Sequence, residues 1–381
     1  MQRASVYVHF PWCLTKCPYC DFVSYATERP AVPHAAYADA VIRELRARAE
    51  SFQTKEIASI FFGGGTPSLW EPAELGRVLA AIRDALGCAP QVEVTVECNP
   101  TSLDRARADA LASVGVNRLS IGTQSLKQEQ LSFLGRLHNP QGALDAVTDA
   151  LASNIARVST DLIFGLPEQS ADDARAQALA LADLGLRHLS CYQLTIEPGT
   201  RFGELARRGR LPLADDGRVA DAFLAIDEAL AARGLVHYEI SNYAAPGEEA
   251  RHNLGYWRGE EYLGLGCGAY GFVRNELGGV RWRNEIDPAR YLERAGWGSM
   301  SEEPLDAETL LRERIMLGLR LATGFDLEAA AADLGVVAWT DERSREADKM
   351  LKSQRLIREG AILRIPNKAW LFTDDTAARL F

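Results

Sequence analysis

Three closely spaced cysteines constrain this chain more than any other feature of its sequence. Cys13, Cys17 and Cys20 lie in the run HFPWCLTKCPYCDF, directly after an apolar, strand-like segment at residues 6–10. Thiolates at this C-x3-C-x2-C spacing form a compact site for a soft metal. A structural zinc site is closed by four ligands, and iron–sulfur clusters are usually held by four cysteines. Three thiolates therefore predict a 4Fe–4S cluster in which one iron is free to bind a small molecule.

Two alternatives to the cluster stay open at this point. A zinc site could be completed by His9 or Asp21, or the three thiols could be unrelated buried side chains. The other four of the seven cysteines are scattered along the chain. Such an odd number without framework spacing fits small buried side chains in a reducing compartment.

The length and the charge limit the class of protein further. A chain of 381 residues suits one large barrel-type domain with a small appended domain, because such barrels often have about 250 residues. The net charge of −10 argues against a nucleic-acid partner. The sequence contains no run of about 18 apolar residues and no basic-then-apolar leader, so we expect a cytoplasmic protein. Peripheral membrane contact stays open.

Short β-branched segments alternate with amphipathic helical segments over residues 1–234. We predict strands at residues 6–10, 59–63, 92–98, 118–124, 158–165 and 188–194. We predict helices at residues 35–51, 72–86, 103–113, 140–153, 171–184 and 215–233. Six such units imply a parallel sheet with right-handed crossovers. Since a full barrel has eight units, the fold class is α/β, with a partial (β/α)6 barrel.

Polar residues recur at the carboxyl ends of these strands, where active sites of parallel α/β proteins lie. The cysteines follow the first strand, GGGTP (63–67) follows the second, and Glu97, Gln124 and Asp161 lie late in the next three. Buried acids are costly unless they bind something, so both carboxylates could bind ribose hydroxyls or a cationic cofactor. A structural salt bridge is the alternative for each acid. Arg136 could pair with a cofactor carboxylate, or be a solvated helix arginine, and Tyr19 could flank an adenine.

The pattern changes after residue 234. Residues 235–304 are rich in Gly, Tyr, Trp and Arg and predict an extension beside the barrel mouth. For residues 305–381 we predict three helices, at 308–321, 327–334 and 343–359, and a hairpin at 361–373 that turns at Pro366. This arrangement is typical of a winged-helix-like α+β domain. Because acidic residues are interleaved with basic ones, it favours packing or partner docking over DNA binding.

Seven ordered motifs resemble one known family: HFPWC-x3-CPYCDF, FFGGGTPS, VECNP, IGTQS, LGRLH, DLIFGLP and HNLGYW. This is the radical-SAM family that contains oxygen-independent coproporphyrinogen III oxidase and the haem chaperone HemW. The resemblance covers essentially the whole chain. It implies a 4Fe–4S cluster and S-adenosylmethionine (SAM) as cofactors. It also implies that the cofactor site is lined by Tyr7, Gly64, Gly65, Thr66, Glu97, Gln124, Arg136 and Asp161.

Two departures from the oxidases resemble the chaperone branch. The oxidase motif continues with a fourth cysteine, where this chain has Phe22, and the oxidases carry an N-terminal extension before the first strand. The chaperone pattern includes the HNLGYW run, which implies haem binding. His252 is therefore a candidate haem ligand, since histidine is a common axial ligand, with Tyr256 and Trp257 as flat faces for the macrocycle. Cys267 is a competing ligand. The alternative is an ordinary polar turn with aromatic side chains packed inward.

Two functions follow from these expectations. In the first, the chain is a chaperone that transfers haem to haem-accepting proteins, including respiratory ones, and the cluster acts in redox gating, in forming a homodimer or in radical chemistry. In the second, it is a radical-SAM oxidoreductase acting on a porphyrinogen. A scaffold that keeps the cluster only structurally is a third reading.

Overall fold

The computed structural model describes residues 2–294 and 299–381. Met1 and residues 295–298 lie outside the described residues, so nothing in the structure bears on those parts of the predicted regions 1–234 and 235–304.

The strands of the described chain lie mostly in one large sheet. In chain order they are β1 (Arg3–Phe10), β2 (Trp12–Cys13), β3 (Tyr25–Ala26), β4 (Glu56–Gly64), β5 (Cys88–Cys98), β6 (Arg118–Gln124), β7 (Arg157–Phe164), β8 (His188–Gln193), β9 (Val236–Glu239), β10 (Asn242–Ala244), β11 (Glu261–Leu265), β12 (Tyr270–Asn275), β13 (Gly278–Asn284), β14 (Ser299–Asp306), β15 (Phe325–Asp326), β16 (Ile357–Glu359) and β17 (Ile362–Arg364).

Helices connect most of these strands. They are α1 (His34–Arg48), α2 (Pro72–Ala85), α3 (Arg105–Ser113), α4 (Gln128–Phe133), α5 (Pro140–Leu151), α6 (Ala171–Ala182), α7 (Arg201–Arg207), α8 (Asp216–Ala231), α9 (Arg251–Trp257), α10 (Pro288–Glu293), α11 (Ala307–Gly318), α12 (Leu327–Leu334), α13 (Asp341–Lys352) and α14 (Thr373–Ala378). Short 3₁₀ segments lie at Arg29–Ala31, Ala49–Phe52, Pro67–Leu69, Pro100–Ser102 and Asn367–Phe372.

The sheet has the strand order β14-β13-β12-β11-β1-β4-β5-β6-β7-β8-β10-β9. Its six central strands, β1 and β4 to β8, are all parallel, and each pair is joined through at least one helix. These are the six predicted βα units, confirmed to within a few residues at each end. The carboxyl ends of the parallel strands therefore meet along one edge, as the site prediction requires.

Local capping explains where several of the connecting helices begin. The side chains of Asp104, Asn139, Ser170 and Asp215 each accept a hydrogen bond from a backbone N–H in the first turn of α3, α5, α6 and α8. Such N-caps satisfy donors that the helix itself leaves unpaired. Proline occupies the first turn of α2 and α5, where its missing N–H costs nothing. The apolar faces of these helices pack on the sheet and form the main core.

Residues 236–294 and 299–306 extend the main sheet at both of its edges. β9 and β10 add to β8 in antiparallel register, whereas β11 pairs in parallel with β1 and carries the antiparallel strands β12 to β14. The HNLGYW run forms most of the short helix α9, which packs against β4. This segment therefore covers the first strands of the barrel next to the predicted site.

The C-terminal segment contains α11 to α14 and a three-stranded sheet of order β15-β17-β16. The predicted hairpin turn at Pro366 is wrong. β16 and β17 are joined at Gly360, which has φ +63° and so supplies the left-handed conformation of the turn, and Pro366 instead precedes a 3₁₀ segment. Among the described residues, no helix combines the length and the apolar character needed to span a bilayer.

Candidate functional site

A cavity of about 160 Å³ lies at the carboxyl ends of β1 and β4 to β7. It brings together most of the side chains that the sequence predicts for a cofactor site. Its walls include Cys13, Cys17, Tyr19, Cys20, Gly64, Gly65, Thr66, Glu97, Gln124, Arg136 and Asp161. Tyr7 and His252 do not line it. Residues separated by almost 150 positions therefore meet at one edge of the sheet.

The cysteine loop is fixed at both ends by backbone hydrogen bonds. β2 pairs with β3, so that the N–H of Tyr25 donates to the carbonyl of Pro11 and the N–H of Thr27 donates to that of Cys13, each at 2.8 Å. Between them, the N–H of Cys20 donates to the carbonyl of Cys17 at 3.2 Å and closes a turn. All three thiols are free. The loop therefore presents three cysteines to one cavity with little freedom in its backbone.

The two candidates for a fourth zinc ligand are placed unfavourably. Nδ1 of His9 lies 2.9 Å from the Tyr7 hydroxyl, and its Nε2 lies 2.7 Å from the Val23 carbonyl, so both ring nitrogens are engaged. Asp21 is exposed and does not line the cavity. Within residues 2–294 and 299–381, no three His, Cys, Asp or Glu side chains converge closely enough for a single metal ion. Neither His9 nor Asp21 is therefore placed to complete a zinc site, which is closed by four ligands.

The glycines at the end of β4 lie so close to neighbouring residues that a side chain would not fit there. A Cβ on Gly64, which has φ +107°, would lie 2.5 Å from the His9 ring, and one on Gly65 would lie 2.6 Å from the Trp12 carbonyl oxygen. The N–H of Gly64 donates to Oε2 of Glu97 at 3.1 Å. The bare backbone thus packs against the cysteine loop on one side and faces the cavity on the other.

Glu97 and Asp161 are half-buried carboxylates that line the cavity. Neither carboxylate forms an ion pair in the part of the chain that the structure describes, which disfavours the structural salt bridge. Burial, and then the nearby charge of Asp161, raise the pKa of Glu97 to about 8. Burial also raises the pKa of Asp161, although its carboxylate accepts a hydrogen bond from the Ser120 hydroxyl at 3.2 Å. The cavity therefore holds two acids that a cationic ligand would stabilise in the ionised form.

Gln124 and Arg136 leave polar atoms unsatisfied at the cavity wall. Oε1 of Gln124 and Nε of Arg136 are buried and have no hydrogen-bond partner among the described residues. Gln124 also has φ +65°, a conformation that a non-glycine residue adopts at a cost. The guanidinium of Arg136 donates to the Gly122 carbonyl at 2.9 Å and lies 3.4 Å from the sulfur of Cys17. Arg136 is therefore a buried site residue rather than a solvated helix arginine.

Two of the predicted residues lie behind the cavity. The Tyr7 ring packs under Gly63, whose added Cβ would lie 2.9 Å from it. His252 is 2% exposed; its Nδ1 lies 3.0 Å from the Ser59 hydroxyl and its Nε2 lies 3.2 Å from the Tyr256 hydroxyl. With both nitrogens engaged, this geometry favours the structural alternative for His252 over iron ligation. Burial lowers its pKa to about 3, so the ring is neutral.

Other cavity residues were missed by the sequence reasoning. Ser120 and Gly122 line the wall beside Gln124, and Phe22 lines the mouth with 57% of its surface exposed. Ser120 and Gly122 could have been predicted from Gln124, because every second residue of a strand such as β6 faces the same side. Cys267, the competing haem ligand, is buried away from this cavity, where its thiol lies 3.1 Å from the Ile286 carbonyl.

Comparisons with known proteins agree with this geometry. Residues 7–180 match the family model of the radical SAM superfamily, and residues 305–372 match that of the HemN C-terminal domain. The chain is 42% identical to the heme chaperone HemW of Escherichia coli over 71% of this chain and 70% of that protein. It is 36% identical to the heme chaperone HemW of Mycobacterium tuberculosis over 87% of this chain and 85% of that protein.

The structural neighbours define the same fold. The E. coli coproporphyrinogen III oxidase HemN, a radical SAM enzyme, superposes with a TM-score of 0.82 and is 20% identical, covering 100% of this chain and 90% of that one. Superfamily membership implies a 4Fe–4S cluster and SAM. The fold, the cavity and the similarity along most of the sequence lead to one conclusion. This chain belongs to the HemW family of radical SAM proteins.

Proposed function

We propose that this chain is a haem chaperone: it binds haem, carries a 4Fe–4S cluster with SAM, and transfers haem to acceptor proteins. The observation that carries the proposal is the 36% identity to a protein named heme chaperone HemW over 87% of this chain. The 20% identity to the oxidase, by contrast, supports the shared fold alone. Phe22, in place of the fourth cysteine of the oxidase motif, also supports the chaperone branch.

The donor set around the cavity fits both resident cofactors. Cys13, Cys17 and Cys20 would hold three irons of the cluster, because thiolates are its usual ligands. Glu97 and Asp161 form no ion pair among the described residues, and SAM carries positive charge at its ammonium and sulfonium groups. The remaining donors and acceptors, at the Gly64–Thr66 backbone, Gln124, Arg136 and Tyr19, suit its carboxylate, ribose and adenine.

The residues of the chain have distinct tasks in this site. The cluster, when bound, supplies an electron at low potential. Arg136 places a guanidinium 3.4 Å from the sulfur of Cys17, where its positive charge would face the thiolates that hold the cluster. Glu97 holds its proton at neutral pH while the site is empty and can release it when a cation enters, since its pKa is about 8. Ser120 orients Asp161 through its hydrogen bond.

The proposed function also covers the proteins that accept haem, the cellular location of the chain and its oligomeric state. We propose that the chain works in the cytoplasm and passes haem to haem-accepting proteins, including respiratory ones reached through peripheral membrane contact. A homodimer bridged near the cluster is the proposed assembly. Size-exclusion chromatography of the reconstituted protein, with and without the cluster, tests the homodimer, and flotation with anionic vesicles tests the membrane contact.

Haem titration of the anaerobically reconstituted protein tests the function. We expect a shifted Soret band that saturates at one haem per chain. The matched control is the same titration of protein unfolded in guanidinium chloride, which should show no such saturation. If the folded protein takes up no haem in stoichiometric amount, the proposed function is wrong.

A radical-SAM oxidoreductase acting on a porphyrinogen is the second candidate. The observation that favours it is the group of polar side chains around the cavity, among them unpartnered atoms of Gln124 and Arg136. A cluster with a purely structural role would not require these side chains. It predicts that coproporphyrinogen III increases the release of 5′-deoxyadenosine from SAM. Haem binding without such release supports the chaperone. SAM that fails to bind in calorimetry would instead indicate a scaffold with a structural cluster.

A further inference from the structure

A second cavity, of about 450 Å³, lies beside α9. It forms where α9 and the strands β11 to β13 meet α11 of the C-terminal segment, and it shares no lining residue with the cysteine cavity. Its volume lies within the range of small-molecule sites, about 300–1,000 Å³. The HNLGYW run supplies Tyr256 and Trp257, which the sequence predicts as flat faces for a macrocycle, whereas no motif predicts the other lining residues.

One side of this cavity is apolar and aromatic. Tyr256, Trp257, Tyr262 and Phe272 line it, and α11 contributes Leu310, Met316 and Leu317. The Tyr256 and Tyr262 rings meet edge to face with their centroids 4.8 Å apart, and Tyr262 and Phe272 follow at 6.4 Å. Packed aromatic faces of this kind accept a flat, apolar ligand.

Arginine side chains also line the cavity. Arg274 and Arg314 share a single carboxylate, that of Asp333, at 2.8 and 3.4 Å, and Asp333 is half exposed. Nη2 of Arg274 is buried and has no partner among the described residues. A third arginine, Arg281, is already paired with Glu313 at 2.6 Å. Two guanidinium groups therefore have the capacity to bind a further anion.

One further acid, Glu260, lines this edge. Burial raises the pKa of its carboxyl group, while the charges of nearby arginines act in the opposite direction. Three of the five charged side chains in the lining are arginines, and the second acid, Glu313, is already paired with Arg281. The cavity thus combines an aromatic wall with an excess of guanidinium groups, which is the complement of a planar macrocycle that carries carboxylates on one side.

We propose that this second cavity is the haem site, with the macrocycle against the aromatic wall and the propionates at Arg274 and Arg314. This proposal rests on the proposed haem-chaperone function and states where on the chain haem binds. His252 lies behind the wall: its hydrogen bond to Tyr256 fixes that ring, and its own ring stacks on Phe61 at 4.8 Å. The HNLGYW run thus shapes the cavity without supplying the iron ligand from His252.

Two variants test the site through haem affinity, read from the Soret band. Leu317→Trp fills the apolar side, and we expect it to weaken haem binding at least about tenfold, because a second large ring cannot share the volume. Arg274→Gln removes a charge-assisted partner of a propionate, and we expect a loss of about tenfold. The matched control for the first variant is Leu213→Trp at a surface position that is 55% exposed. We expect wild-type affinity from that control.

A chemical control separates the charge effect from misfolding. The dimethyl ester of haem lacks the propionate charges, so the wild type should bind it more weakly than haem, and Arg274→Gln, which keeps Arg314, should show a smaller difference between the two ligands. If the wild type binds haem but Leu317→Trp and Arg274→Gln, both folded, keep wild-type affinity, the cavity is not the site and the chaperone function stands. If the wild type itself binds no haem, the function fails and the site proposal fails with it.

Discussion

Glu97 offers the sharpest quantitative prediction, because its carboxyl group is buried with a single backbone donor. The N–H of Gly64 donates to it at 3.1 Å, and burial followed by the charge of Asp161 raises its pKa from 4.5 to about 8. In the unfolded chain the group titrates near its ordinary value. Between about pH 4.5 and 8 the native state therefore holds a proton that the unfolded state releases.

The sign and size of the effect follow from this difference. Since the native state binds more protons than the unfolded state, Glu97 makes the protein less stable as the pH rises through this window. At about 1.36 kcal/mol per pKa unit, the loss between pH 5 and pH 8 is about 3 kcal/mol. Glu97→Gln keeps the acceptor for Gly64 and cannot ionise. We expect the variant to match the wild type at pH 5 and to be about 3 kcal/mol more stable at pH 8.

Urea unfolding of the SAM-free protein at pH 5, 6, 7 and 8, followed by circular dichroism, measures this difference. Comparing the variant with the wild type removes the contributions of other buried acids, such as Glu239, whose pKa burial also raises to about 8. The matched control is Glu276→Gln at an exposed position, for which we expect no pH-dependent difference. Parallel stability curves for Glu97→Gln and wild type would refute the reasoning. The variant should also bind SAM more weakly, by calorimetry.

Three further predictions concern packing. Gly65→Ala, whose Cβ would lie 2.6 Å from the Trp12 carbonyl oxygen, should lower the free energy of unfolding by about 1–3 kcal/mol and reduce the iron bound per chain. Arg343→Met removes a 1% exposed guanidinium that donates to the Leu380, Val337 and Ala338 carbonyls, and should lower the unfolding free energy by about 3 kcal/mol or more. His252→Phe should cost about 1–3 kcal/mol at pH 7, yet retain one haem per chain. Because burial lowers the pKa of His252 from 6.5 to about 3, the wild type should also lose more stability than this variant on acidification below pH 6.5.

Two of these variants have a matched control, and each of the three has a result that would contradict it. Gly87→Ala, whose Cβ meets nothing nearer than 3.6 Å, controls for the added methyl group, and Arg345→Met on an exposed surface controls for the lost charge. Wild-type iron content in Gly65→Ala would contradict the close packing of the cysteine loop. An unchanged melting temperature in Arg343→Met would contradict its buried network. A folded His252→Phe protein without haem would restore His252 as a candidate ligand.

The sequence predicted the parallel core and the cysteine cavity because both depend on local patterns. Alternation of β-branched strands with amphipathic helices fixes the order of the units, and their parallel pairing brings residues as distant as Cys13 and Asp161 to one edge. The roles of Glu97 and Arg136 could be suspected from their positions. Only the three-dimensional structure shows that Nε of Arg136 is buried without a partner among the described residues and that Gly64 donates a single backbone hydrogen bond to Glu97.

Non-local pairing explains most of what the sequence did not predict. β11 pairs with the outer edge of β1, which lies more than 250 residues earlier in the chain. The sequence around β11, which includes GLGCGAYG, contains no pattern that predicts this pairing. The second cavity depends on the contact between α9 and α11, for the same reason. Gly360 is itself a signal for the hairpin turn, because glycine readily adopts its positive φ, whereas Pro366 fits the start of a 3₁₀ segment equally well.

The central claim is that one chain carries two separate sites, a cysteine cavity for the cluster and a second cavity for haem. The most direct test is a haem titration of the wild type and of a variant in which Cys13, Cys17 and Cys20 are all replaced by serine. We predict that the variant loses the cluster iron and sulfide but still binds one haem per chain with a shifted Soret band. Loss of haem binding in a folded variant would contradict the account, because it would place haem at the cysteines.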